Sequence, residues 1–140
     1  RYIDNVISTY MGLCDVPYLN GIAHPFNTGN TSPALLPADY PEWALRELAH
    51  KMAERHVVFD VMNLQAFWFQ RSGVSPAELT TQYAALVELF AEAGVVFQVS
   101  SDDHRCGIGH TLWSQHILAL AGVLPRQIVN PAEIRRSSQP

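Results

Sequence analysis

The chain has little that would carry it into a membrane, a disulfide framework or a complex with nucleic acid. Within its 140 residues no apolar run approaches the roughly 18 that a spanning helix needs. Nothing near Arg1 has the charged, apolar, small-residue succession of a signal peptide, and a cytoplasmic location is expected. Cys14 and Cys106 stand far apart and form no CxxC pair, which points to two free thiols. With 13 acidic against 9 basic residues the net charge is −4, so there is no general attraction to nucleic acid or anionic lipid. An anionic substrate would need metals or a few arginines. The serine-hydrolase elbow, the P-loop and the dinucleotide fingerprint are all missing, and Gly107-Ile108-Gly109 is too short to replace them. A Cys106 nucleophile would need His104 or His110 as its base, and nothing else in the sequence supports one.

What is present is a hydrophobic fraction of 48% with 16% charged residues, which suits one folded α/β domain. The chain opens inside an amphipathic pattern, Ile3, Val6, Ile7 and Tyr10, one face of a helix. A short strand from Asn20 to Ala23 runs into His24-Pro25. Pro25, Pro33, Pro37 and Pro41 then mark a long loop of the kind that forms lids and binding surfaces. A helix from Glu42 to Arg55 turns Leu45, Leu48, Ala49 and Met52 inward, and Val57 to Met62 reads as a buried strand. Ser75-Pro76-Ala77-Glu78 predicts a capping box opening a helix whose stripe is Leu79, Tyr83, Leu86, Val87 and Phe90, stopped at Gly94. Val95 to Val99 predicts a third strand. His110 to Ala121 predicts a helix packed through Leu112, Trp113, His116, Ile117 and Leu120, and Gln127 to Val129 a last brief strand. The tail from Arg135 to Pro140 is polar and expected to fray. Strands alternating with helices imply parallel βα units.

In such architectures working residues gather where strands end. Here the strands end at His24, at Asn63 and at Ser100-Ser101-Asp102-Asp103-His104, which places the ligand-type residues on one rim. Residues two apart on an extended rim point to the same side, so Asp102 and His104 can approach one centre. Carboxylate with imidazole suits Zn, Mn or Fe and leaves the metal acidic enough to activate water. His24, Asp102 and His104 are therefore the candidate metal ligands, and Asp102 and His104 the candidate catalytic residues. Asn63 is read either as a donor to a ligand or substrate oxygen or as a strand-end tie, and Arg105 and Arg71 as possible phosphate forks. Asp103 is expected to face solvent by alternation, and His116 to sit in the core with one hydrogen-bond partner. His50 and His56 flank a helix, and His110 could approach the site. Phe67, Trp68 and Phe69 follow the second strand as core or pocket wall.

Gly21-Ile22-Ala23-His24-Pro25 resembles the strand ending in His-Pro of the polymerase and histidinol phosphatase (PHP) family. Phe59-Asp60-Val61-Met62-Asn63 is similar to its Glu-hydrophobic-Asn strand, with Asp60 a departure. Ser101-Asp102-Asp103-His104-Arg105 resembles its final Ser-Asp-x-His motif, and Ile128-Val129-Asn130-Pro131 its last strand and turn. The resemblance implies a distorted seven-stranded TIM-like (βα) barrel, about half of it present. Two or three divalent ions would hydrolyse phosphoesters, with a phosphorylated small molecule or nucleotide as substrate. It implies a metal on His24, another on Asp102, and a third or bridging position on His104. The family's His-x-His, a further histidine and a bridging residue would precede Arg1. Residues 1–140 are thus expected to be the C-terminal portion of one barrel domain, able to self-associate through exposed edges. An amidohydrolase-type C–N hydrolase and a non-catalytic PHP-like module that binds a partner are the alternatives.

Overall fold

Burial runs unbroken along Val58–Met62, and that run forms the middle of a parallel sheet. The computed structural model describes residues 1–31, 33–104 and 106–130. Elements follow in the order α1 (Tyr2–Leu13), β1 (Gly21–Ile22), α2 (Glu42–Glu54), β2 (Val58–Met62), α3 (Gln65–Trp68), α4 (Pro76–Glu92), β3 (Phe97–Ser100) and α5 (Leu112–Leu120). Short 3-10 turns lie at Pro37–Asp39 and Pro125–Gln127. The strands stand β1-β2-β3, all parallel, with Gly21 opposite Val58 and Phe59 opposite Phe97. Every described strand therefore delivers its carboxyl end to the same edge.

α1, α2, α4 and α5 form a row, each packed on the next. Between this row and the sheet lies a core that takes Val57, Phe59, Val61 and Phe97 from the strands. By the two-residue alternation of a strand, Val58, Asp60 and Met62 face the other way. Asp60 and Met62 stand opposite Gln98 and Ser100 of β3, so the face turned away from the helices carries polar residues.

The helices form largely as their apolar periodicity dictates. α2 buries Ala44, Leu45, Leu48, Ala49 and Met52, and α4 buries its whole predicted stripe together with Ala84. Only half of the predicted capping box closes: Ser75 Oγ accepts from the Glu78 N–H at 3.1 Å, while Glu78 Oε1 accepts from Gln82. α1 lays Ile3, Val6, Ile7 and Tyr10 against the core with none fully buried. Its end is tied to α2 by Asp15, which meets Lys51 Nζ at 2.7 Å and Arg55 at 3.4 Å.

Two expectations are corrected. α5 keeps Ile117 of the predicted stripe buried and Trp113 packed against the core, adds Ser114 and Leu118, and leaves His116, Leu112 and Leu120 exposed. The nine-residue helix contacts its neighbours along a narrow line, and its remaining apolar residues lie outside that line. The last strand at Gln127–Val129 is reduced to a single parallel bridge, Phe97 to Ile128, backed by the Val129 N–H on the Phe97 carbonyl at 2.8 Å. The preceding 3-10 turn consumes Gln127, whose side chain donates to the Ala91 and Val95 carbonyls. β1 and β2 otherwise contract by one or two residues, while β3 starts two residues later and ends one residue later than predicted. The tail at 135–140 lies outside the described residues.

The long loop after β1 is anchored by Phe26. Its ring meets Tyr10 at 5.1 Å, Tyr40 at 5.0 Å and Phe90 at 5.9 Å, all edge-to-face. Burial raises the phenols of Tyr10 and Tyr40, the latter to about 12, and Tyr83 is pushed well above its ordinary 10.0. Because the folded values exceed the unfolded ones, the unfolded chain gives up these protons first. Their contribution is intact below pH 10 and is lost as pH rises towards 12. Urea midpoints measured across that range should fall steadily. Tyr40→Phe should flatten the fall, and an unchanged slope in that variant would count against the assignment.

Candidate functional site

The carboxyl edge is built around Asp60, a carboxyl group 2% exposed in the middle of β2. Its Oδ2 accepts from the His24 N–H at 3.1 Å and from Ser100 Oγ at 2.9 Å, and its Oδ1 accepts from Gln98 Nε2 at 3.2 Å. One side chain thus joins the ends of β1 and β3 across β2. No cation lies within ion-pair distance of it among the described residues. Its burial is met by hydrogen bonds alone.

Beyond β1 the backbone turns sharply, with His24 at φ 35° and Phe26 at φ 61° on either side of Pro25. Left-handed backbone costs a non-glycine residue roughly 1–2 kcal/mol. It persists here because the turn is gripped from several elements. The Phe26 N–H donates to Tyr10 Oη at 2.9 Å, Tyr83 Oη donates to the Pro25 carbonyl at 3.3 Å, and Gln65 Nε2 donates to the Phe26 carbonyl at 3.2 Å.

Beyond β2, Asn63 takes the structural alternative. Its N–H continues the sheet onto the Ser100 carbonyl at 2.8 Å, and its Oδ1 accepts from the Trp113 N–H at 2.8 Å. That second bond caps the first turn of α5, whose own N-cap Thr111 makes no side-chain cap. The amide nitrogen has no protein partner among the described residues and is the part of Asn63 left for a ligand.

Beyond β3, Asp102 is also left-handed, at φ 47°. Its Oδ1 lies 3.2 Å from His104 Nε2, so these two candidates meet, through a left-handed turn and not the extended rim on which the DxH reading rested. Asp102 is half-buried and His104 largely open, its side chain 83% exposed. The Asp102 turn breaks the alternation that would have sent Asp103 into solvent. Asp103 is half-buried and folds over Gly107, where a β-carbon would strike its carboxylate and stand 3.4 Å from His110 Nδ1. His110 is drawn into the same loop through its N–H on the Gly107 carbonyl at 2.9 Å. His50 and His56 are exposed, the first on α2 and the second just beyond its end.

Of the predicted ligands, Asp102 and His104 come together. His24 shares their edge through its backbone bond to Asp60, which also binds Ser100. Among the described residues no three His, Cys, Asp or Glu side chains are grouped closely enough to hold a metal between them. Arg105 lies outside the described residues. Asp60 is the residue that the sequence reading passed over as a departure from a motif. Its signal was a single charge inside the apolar run Val57–Met62, which a central strand tolerates only where partners await it.

Asp60→Ala would leave three donors without an acceptor, at about 1–3 kcal/mol for each that stays buried. Asp60→Asn can keep one oxygen for His24 and Ser100 while Gln98 turns its amide to present oxygen. In urea denaturation the alanine variant should lose several times more stability than the asparagine variant, and equal losses would refute this account of the network. Comparison with family models, with characterised proteins and with solved structures finds no match, so the function of this edge rests on its own chemistry.

Proposed function

We propose that the intact protein is a metal-dependent phosphoesterase of the PHP type, to which this chain contributes His24, Asp102 and His104 as metal ligands at the carboxyl edge. The observation that carries this reading is the 3.2 Å separation of Asp102 Oδ1 and His104 Nε2 at the end of a parallel strand. Two neighbouring ligands on one ion, with bonds of about 2.0–2.2 Å and angles of roughly 90–110°, stand about 2.8–3.6 Å apart. The donor set, one carboxylate oxygen and one imidazole nitrogen, suits Zn, Mn or Fe. When bound, a divalent ion would supply a Lewis acid for the phosphoryl oxygens and a more acidic water.

The chain's own residues do the positioning. The left-handed backbone at Asp102 turns its carboxylate back toward His104, and the Asp60 carboxyl holds the His24 turn on the same edge. The Asn63 amide nitrogen would donate to a substrate oxygen, its own oxygen being fixed on α5. Arg105, next in sequence to His104, has the fork geometry for a phosphate. In a chain of net charge −4, local cations of this kind are what would draw an anionic substrate.

The architecture supports the reading too. A row of helices on one sheet face and polar Asp60, Gln98 and Ser100 on the other suit a segment of TIM-like barrel, polar face inward. The Phe97–Ile128 bridge is compatible with a further parallel strand beside β3. No helix among the described residues is long and apolar enough to cross a membrane, which accords with a cytoplasmic enzyme.

Calorimetric titration with Zn²⁺ and Mn²⁺, paired with hydrolysis of para-nitrophenyl phosphate, tests the proposal. Asp102→Ala and His104→Ala should each weaken metal binding ~10-fold or more and lower turnover in parallel. Wild-type protein that takes up neither ion, or Asp102→Ala that turns over like wild type, would favour the non-catalytic module.

A further inference from the structure

A cleft of about 600 Å³ opens between the loop that follows β1 and the segment that follows β2. Both leave the carboxyl ends of neighbouring strands, so the cleft belongs to the same edge as His24 and Asn63. Its volume lies within the range of small-molecule sites, roughly 300–1,000 Å³.

The two walls are locked together at Gly29. A β-carbon there would lie 2.5 Å from the Trp68 carbonyl oxygen and 2.7 Å from the Phe69 ring, so the loop rests directly on the backbone of the opposite wall. Phe69 is buried beneath and fixes that wall to the body of the protein. Above it Phe67 and Trp68 are 56% and 36% exposed, their rings edge-to-face at 5.6 Å. Arg71 lines the same cleft, and among the described residues no carboxylate lies within ion-pair distance of it. Asn30 joins it from the other wall, its side chain without a protein partner among the described residues.

Aromatic faces open to solvent, beside an unpaired guanidinium and a free amide, in an acidic chain, make a specific combination. The rings offer a stacking surface to a planar group, and the guanidinium offers two parallel donors to an anion. We propose that this cleft binds a planar aromatic or heteroaromatic ring carrying an anionic group, as in an aromatic or nucleotide phosphomonoester. Binding stands on the cleft alone, whereas hydrolysis of that ligand rests on the phosphoesterase reading.

Adenosine 5′-monophosphate, adenosine and ribose 5-phosphate serve as probes, followed by calorimetry and tryptophan fluorescence. The monophosphate should bind most tightly, and loss of either its ring or its phosphate should weaken binding ~10-fold or more. Trp68→Ala and Arg71→Ala should each have an effect of similar size, with Arg71→Lys recovering part of the loss. Both residues are exposed, and unchanged circular dichroism would confirm that the variants fold. No binding of the monophosphate at millimolar concentration, equal binding of the three probes, or variants that bind like wild type would overturn the proposal. Hydrolysis of glycerol phosphate, which has no ring, separates the two readings. If it proceeds while Trp68→Ala leaves monophosphate binding and turnover unchanged, the cleft assignment fails and the phosphoesterase stands. If the monophosphate binds through Trp68 and Arg71 and neither ester is cleaved, the reverse holds.

Discussion

The carboxyl edge depends on one buried acceptor. Asp60 sits where a central strand would ordinarily place valine or isoleucine, and it gathers donors from the two strands beside it. Without it, the carboxyl end of β1, only two residues long, would lose its side-chain hydrogen bond to β2. The hydrogen bond from the His24 amide ends β1 at a definite point and sets the register from which the next turn departs. Everything that follows β1, including the Phe26 anchor and the Gly29 contact, inherits that starting position.

The same edge concentrates unfavourable backbone. Among the described residues, three of the four non-glycine residues with positive φ, His24, Phe26 and Asp102, lie shortly after β1 or β3. Histidine and aspartate tolerate this conformation better than most residues, but phenylalanine does not. Phe26 is held by four aromatic neighbours and by hydrogen bonds to both of its backbone polar groups. Strain kept at strand ends by surrounding packing is a common mark of residues placed for chemistry.

Much of the scaffold could be read from periodicity, because α2 and α4 bury broad apolar faces and sequence spacing reports such faces directly. α5 misled the reading because it buries only a narrow line. Leu112 is 80% exposed although its spacing fits a core position. The rim could be read as a place, since three parallel strands must end together. Its details could not, because they depend on φ values and long-range partners. Asp103 was misplaced by an alternation rule that ceases to hold at the left-handed Asp102, and Asn63 spends its oxygen on a helix fifty residues away. Asp60 was visible as a charge in an apolar run, but its donors lie on two other strands. The aromatic residues after β2 could be read only as core or wall, and the structure divides them, burying Phe69 and exposing Phe67 and Trp68.

The grip on residues 24–26 also orders events in time. Its bonds come from Tyr10, Asp60, Gln65 and Tyr83, at sequence separations of 16, 36, 39 and 58 residues. Contacts of that span close large loops before they return any stabilisation, so they form after the local helices. The His24 turn can settle only when α1, β2, α3 and α4 have all arrived. The helices are thus expected to form early and the carboxyl edge late, and a nascent chain lacking α4 would lack the Tyr83 bond to the His24 turn.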